Sequence, residues 1–316
     1  MSKLTMFASV IIPTYNRDHL LIDTIQYVLR NNYKAFEVVV VDQTRGHPER
    51  IMNHLQRLRC DSRFKYIKIS LANASLARNV GLRYAKGDVI IYIDDDVELA
   101  EDFIAAHVRR YEDPQVGAVA GRVVELGTPL VHEPDERLRD RPRPGRLRPD
   151  GTGETHFNQV GYRGEVEWGQ GCNMSFRRAA LEQIGGFDER YAVIREDVDV
   201  FYRIRKKGWK AVFEPDAKVT HLKESKGGWR SEEFDKILDQ YTSRSLFAIK
   251  NQGWKGWLHY FSYQPRAMYS LIRMHNLSYA KLLKMIKSQF KGIYYNYFVD
   301  PYRFSKKVYI EYKLNL

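Results

Sequence analysis

Three adjacent carboxylates, Asp94, Asp95 and Asp96, close the apolar run 88–93 (DVIIYI), and nowhere else in the chain is so much charge set against a buried strand. Like charges this close repel, which costs stability unless a cation or hydrogen-bond donors offset them. A solvated turn would also use Asp. A divalent metal is the better reading, and oxygen ligands favour Mg2+ or Mn2+, often shared with substrate phosphates. A second acidic cluster, Glu196-Asp197-Val198-Asp199, opens a helical pattern. Carboxylates in a first turn are stabilised by the helix dipole, so capping accounts for them well. The chemical alternative is a general base, with Asp197 taking a proton from a hydroxyl nucleophile and Glu196 orienting the site or the acceptor. His221 offers an imidazole nitrogen to a metal, although a lone histidine is more often a core or surface residue.

These groups need a scaffold, and the first hundred residues alternate β-branched runs with helical patterns. Residues 9–12 (SVII) read as a strand ended by Pro13. Leu20, Ile25, Val28 and Leu29 then recur at helical spacing, and residues 37–41 (EVVVV) give a second strand. Strand, helix, strand signals a parallel sheet. Residues 65–69 make a third strand, 76–85 a helix stopped near Gly87, and 88–93 a fourth strand buried on both faces. The acidic triplet thus falls at a strand's carboxyl end, where open α/β sheets bind ligands. Residues 116–124 read as another strand.

Between 127 and 164 the periodicity dissolves into a loop with five prolines and, from Arg137 to Arg148, six arginines, either a solvated excursion or an acceptor-side lid. Structure resumes with 169–176, a helix 178–184, a helix near 197–207 ended by Gly208, and a short strand 210–213. From Glu232 onwards the chain reads as helical, with Phe234, Ile237, Leu238, Tyr241 and the polar Ser245 on one face.

Composition narrows the class. With 44% hydrophobic residues the chain can bury a core, which excludes wholesale disorder. No apolar run reaches 18 residues and the N-terminal pattern lacks a signal peptide, so a cytoplasmic protein is expected. Cys60 and Cys172 fit neither a disulfide framework nor a zinc site and read as buried thiols. The net charge of +12 is uneven: residues 241–316 hold 13 basic and 2 acidic residues, leaving 38 and 37 for residues 1–240.

In order, the chain carries Pro13-Thr14-Tyr15-Asn16-Arg17, Val41-Asp42-Gln43, Ala77-Arg78-Asn79 with Gly81, Asp94-Asp95-Asp96, Gly185-Gly186-Phe187-Asp188 and Glu196-Asp197. This ordered set resembles a family 2 glycosyltransferase of the GT-A fold, over about residues 9–222. The resemblance implies an α/β fold with a Rossmann-like mixed sheet flanked by helices, a catalytic domain over 1–230 and a helical extension over 231–316. It also implies a nucleotide-diphosphate sugar donor (UDP, dTDP or GDP) and inverting transfer to a hydroxyl acceptor; an acceptor that is a lipid-linked or cell-surface glycan would account for the basic tail.

Residue by residue, the resemblance places Pro13 and Tyr15 on the nucleotide, with Tyr15 packed on the base and Asp42 accepting from the base edge. Arg78 approaches the nucleotide, and Asp94 and Asp95 face the ribose or the metal. Asp96 and His221 hold Mn2+ or Mg2+, Asp197 is the base, and Gly171 and Asn173 line the sugar pocket. Gln43-Thr44-Arg45-Gly46 departs from the small polar residues and second acid usual after Asp42. The stretch 223–230 reads as a flap over the diphosphate or as ordinary surface.

The basic tail interleaves aromatics such as Trp254, Trp257, Tyr260, Tyr294 and Phe298. Such helices suit an anionic membrane surface, where each cation adds about 1 kcal/mol. Single-stranded nucleic acid or plain packing on the catalytic domain would use the same residues. Peripheral membrane association is the favoured reading, and no nucleic-acid partner is expected. A nucleotidyltransferase would need a Gly-rich phosphate loop with lysine, which does not follow the first strand. A non-catalytic scaffold leaves both acidic clusters unexplained.

Overall fold

A computed structural model of the chain describes residues 5–125, 143–147, 153, 155–192, 194–222, 228, 233–275, 278–306 and 310–314. Four strands form its parallel heart: β1 Ala8–Thr14, β2 Phe36–Asp42, β3 Phe64–Ile69 and β4 Val89–Ile93. β1 lies between β2 and β4, with β3 outside β2. Both faces of β2 and β4 are buried, which is why their sequences are unbroken apolar runs. Helices α1 His19–Leu29, α2 Glu49–Arg57 and α3 Ala74–Tyr84 make the connections, and α3 starts on a true cap, Leu76 N–H donating to Asn73 Oδ1 at 2.9 Å. Pro13 does not end β1. As the strand's penultimate residue it stays in register with Val41.

The second half of the sheet is mixed. β5 Val97–Leu99, α4 Phe103–Arg109, β6 Val116–Glu125, β7 Asn173–Arg177, α5 Arg178–Gln183, α6 Glu196–Lys206 and β8 Lys210–His221 follow in order. Across the sheet they continue from β4 as β7, β6, β8 and β5. β8 is far longer than the expected 210–213. It slips register against β6 between Gly121 and Arg122, so Pro215 bulges out of the ladder and the strand runs on to His221. β5, three residues long, receives that end antiparallel, with Val97 opposite His221. A histidine 125 positions from Asp96 is thereby carried to the acidic edge.

The tail begins as expected and ends otherwise. α7 Glu233–His275 breaks at Gly253, where φ is +68° and ψ −167°. Trp257 Nε1 donates to Ser245 Oγ at 2.8 Å and Tyr260 reaches the Tyr241 carbonyl. Residues 12 and 19 apart would stand roughly 18 and 28 Å apart on a straight helix, so the chain folds back at Gly253. α8 Tyr279–Phe298 completes a helical bundle. Ser245, the polar member of the buried face, is satisfied there by Trp257 and the Gln289 carbonyl. The wholly helical reading of the tail is corrected at its end. β9 Ile310–Leu314 pairs antiparallel with β3 and covers what would be an exposed strand edge. Leu246 and Phe247 join the main core, so tail and catalytic sheet share one interior.

Candidate active site

The carboxyl ends of β1 and β4 and the start of α6 enclose a cleft of about 450 Å³. Its floor is the acidic triplet. Asp94 and Asp96 turn toward His221, whose Nε2 lies 3.1 Å from Asp96 Oδ1 and 3.9 Å from Asp94 Oδ2. Asp95, between them, accepts from Thr14 Oγ1 at 2.6 Å and is buried. Arg17 Nη1 reaches Asp96 Oδ2 at 2.6 Å and Asp95 Oδ1 at 3.7 Å. The triplet's repulsion is therefore offset in part by the protein's own cation, from the β1–α1 turn. Burial pushes Asp96 up, but hydrogen bonds from His221 and Arg17 outweigh it and hold the carboxyl well below the usual range. Asp95 has only the Thr14 hydrogen bond and the more distant Arg17 against its burial, which pushes it up to about 7.

Asp94, Asp96 and His221 can each aim one ligand atom at a common point, these atoms lying within 4.8 Å of one another. Two carboxylates and an imidazole fit a divalent cation of the Mn2+ or Mg2+ kind. Arg17 takes one oxygen of Asp96 and leaves the other facing His221.

The opposite wall is the first turn of α6, preceded by Arg195 in the left-handed region at φ +72°. Such a conformation costs about 1 kcal/mol or more in a non-glycine residue and marks a site over-determined by its surroundings. Its three acids do three different things. Glu196 Oε1 accepts from Arg78 Nη1 at 2.9 Å, while burial pushes its carboxyl up to about 8 against the pull of that arginine. Asp197 faces the cleft, accepts from Gly171 N–H at 3.1 Å and is likewise raised by burial. Asp199 points away, to Lys250 Nζ at 2.7 Å and Asn251 Nδ2 at 3.0 Å on α7 and to Arg203 Nε at 2.6 Å. A Cβ at position 171 would come 3.1 Å from Arg78 Nη2 and 3.5 Å from Glu196 Oε1, so glycine keeps this corner open.

Of the twelve expected site residues, Pro13, Tyr15, Arg78, Asp94, Asp95, Asp96, Gly171, Glu196, Asp197 and His221 line the cleft. Two do not. Asp42 is fully buried, its Oδ2 bonded to Tyr66 Oη at 2.5 Å and His47 Nε2 at 2.6 Å and its Oδ1 accepting from Thr44 N–H at 2.8 Å. Asn173 is also wholly buried, bridging Arg122 and Ala217 carbonyls and His107, and so holds β7 within the sheet. Gln43 takes the cleft position beside Asp42 and accepts from Asn73 N–H at 2.6 Å.

Arg17 and Trp168 line the cleft without having been expected to, Arg17 inside a quoted motif and Trp168 just before the Gly169–Cys172 segment. Cys172 is a buried thiol at the cleft, but Cys60 is exposed, contrary to expectation. Of the loop 127–164, residues 127–142, 148–152 and 154 lie outside the described set. Within it, Phe157 packs edge-on against Trp168 at 5.1 Å and anchors the cleft wall. The 223–230 flap lies outside it too, except Gly228, whose N–H donates to the Tyr15 carbonyl at 2.8 Å.

A parallel half-sheet with acids at its carboxyl edge, faced across a cleft by a helix start bearing a second acid pair, defines a GT-A-type transferase fold. The chain belongs to glycosyl transferase family 2, whose profile matches residues 9–185. A second profile, glycosyl transferase family 21, matches residues 151–228. An N-acetylglucosaminyl-diphospho-decaprenol L-rhamnosyltransferase of Mycobacterium tuberculosis is 38% identical over 90 residues, 28% of this chain and 29% of the relative's own length. A mannosyltransferase of Pyrobaculum calidifontis solved with GDP-Man and Mn2+ superposes with a TM-score of 0.56 at 18% identity, covering 94% of this chain and 88% of that one. TarS of S. aureus with UDP-GlcNAc gives 0.63 at 13% identity, covering 92% and 81%.

Proposed function

We propose that this protein is a metal-dependent, inverting glycosyltransferase that moves a sugar from a nucleotide-diphosphate sugar to a hydroxyl acceptor on a lipid-linked or cell-surface glycan. The observation that carries the reading is the placement of Asp197: in the same cleft as Asp94, Asp96 and His221, held by the Gly171 N–H, and raised by burial toward the pH at which a base works. The acceptor O–H gives its proton to the Asp197 carboxylate, and the freed oxygen pair forms the new bond to the anomeric carbon. The bond from that carbon to the diphosphate breaks on the opposite face, its electrons leaving with the nucleoside diphosphate. A cation on Asp94, Asp96 and His221 supplies Lewis-acid stabilisation of that leaving group. Arg78, fixed by Glu196, lines the same cleft. The diphospho-decaprenol and GDP-Man named for the relatives support this class of acceptor and donor.

Peripheral membrane binding is part of the same reading. Trp254, Leu258, Tyr297 and Phe298 are 51%, 60%, 55% and 75% exposed on the tail bundle, and Trp254 stacks on Tyr297. No helix among the described residues is long and apolar enough to cross a membrane. Anionic vesicles should float the full chain, and Leu258→Ser with Phe298→Ser should abolish flotation. Flotation that survives both changes removes the membrane from the proposal.

Calorimetry with UDP, dTDP and GDP tests the enzyme. One of them should bind only with Mn2+ or Mg2+ present, and Asp197→Asn should keep that binding while losing transfer. Nucleotide binding indifferent to metal, or transfer intact in the variant, overturns the mechanism.

A further inference from the structure

A second chamber of about 310 Å³ shares Trp168, Glu196 and Asp197 with the cleft as a common wall and touches none of the acidic triplet. Its remaining boundary includes Arg195 and, from α7, Gln240 and Arg244. The last two are one helical turn apart and present one face.

Side chains in the wall of this chamber carry polar atoms that lack hydrogen-bond partners. Glu196 Oε2 and Trp168 Nε1 are withdrawn from water on side chains 6% and 7% exposed, and neither has a partner among the described residues. Arg244 Nε is buried and unpartnered in the same way, and no described carboxylate pairs with that arginine. Buried polar groups are seldom left so, and a ligand that satisfies them gains what the empty protein forgoes. Their chemistry specifies that ligand. An acceptor oxygen takes a hydroxyl, an indole face and N–H take a sugar ring and one of its oxygens, and a guanidinium takes an oxyanion.

We propose that this chamber seats the acceptor and selects a saccharide carrying a phosphate group, its hydroxyls on Glu196 and Trp168 and its phosphate on Arg244. The inference rests on the reading of Asp197 as the base, since that residue is the shared wall across which the hydroxyl must reach the donor. It makes the helical tail a contributor to acceptor choice.

The test is calorimetry on the full chain with the cleft saturated by nucleoside diphosphate and Mn2+, comparing glucose 1-phosphate with glucose. The phosphorylated sugar should bind about tenfold tighter or more, the worth of one charged hydrogen bond. Arg244→Gln should erase that preference without changing nucleotide affinity. Gln240→Glu, on an exposed position, should also erase it by placing a carboxylate one turn from Arg244. Equal binding of the two sugars, or a preference that survives either substitution, overturns the proposal while leaving the transferase reading intact. Failure of the wild-type chain to bind any nucleoside diphosphate removes the transferase reading and this inference with it.

Discussion

Two acidic clusters face one cleft, and Asp96 in the first and Glu196 in the second are driven in opposite directions by their surroundings. Asp96, with Arg17 on one oxygen and His221 on the other, stays ionised well below the usual range. Glu196 has an arginine too, but its burial wins and its carboxyl rises to about 8, with Asp197 raised beside it. Both are carboxyls lining the same cleft, so the number of donors against the loss of water decides which is the more readily ionised. A fixed anion suits a cation site, and a carboxyl poised nearer neutrality suits proton transfer.

The sharpest way to break this comparison is Asp197→Asn. Transfer should fall by about 10²–10⁴-fold in a single-turnover assay, with nucleotide affinity held. A comparable loss of nucleotide binding would mean that both clusters serve the donor. Next comes the third acid of the same helix. Lys250→Ala leaves Asp188 and Asp199, both buried, short of a cation, and should cost about 3–5 kcal/mol in denaturant unfolding. If Asp197 depends on that brace for its position, transfer measured on the remaining folded protein should fall as well.

His107 separates acid effects on stability from those on the clusters. Fully buried between Asn173 and Ser175, it is pushed by burial down to about 4. The unfolded chain binds a proton near pH 6.5 that the folded chain refuses until about 4. Stability is therefore complete above roughly pH 6.5 and declines as pH falls to 4, by about 3 kcal/mol. In His107→Gln this slope should vanish from urea titrations, and a slope that persists would assign it to the clusters. The smallest effect belongs to the surface: Phe298→Ser should change unfolding free energy by less than about 0.5 kcal/mol.

Sequence was informative where residue type and local pattern suffice. β1, β2 and β4 are apolar runs that only a doubly covered sheet can bury, and the triplet follows directly from β4. It was silent where a distant partner decides. The pattern around Asp42 does not announce that His47 and Tyr66 will both bond its Oδ2, nor that around Asn173 that His107 will pair with it. The expected strand stopped at Phe213, and only the register slip against β6 lets β8 carry His221 to the acids. Trp168 and Arg244 line one chamber because α7 packs back on the catalytic half of the chain, a tertiary event with no local pattern. β9 did leave a trace, the alternation Ile310-Glu311-Tyr312-Lys313-Leu314, which the basic character of the tail obscured.

That last strand also sets a timetable. β3 gains its outer neighbour only when residues 310–314 exist, and translation proceeds at about 5–20 residues per second. From the moment Ile69 leaves the ribosome, one side of the nascent sheet stays open for tens of seconds, so a strand-like peptide supplied in trans has its best chance of capture while the chain is being made.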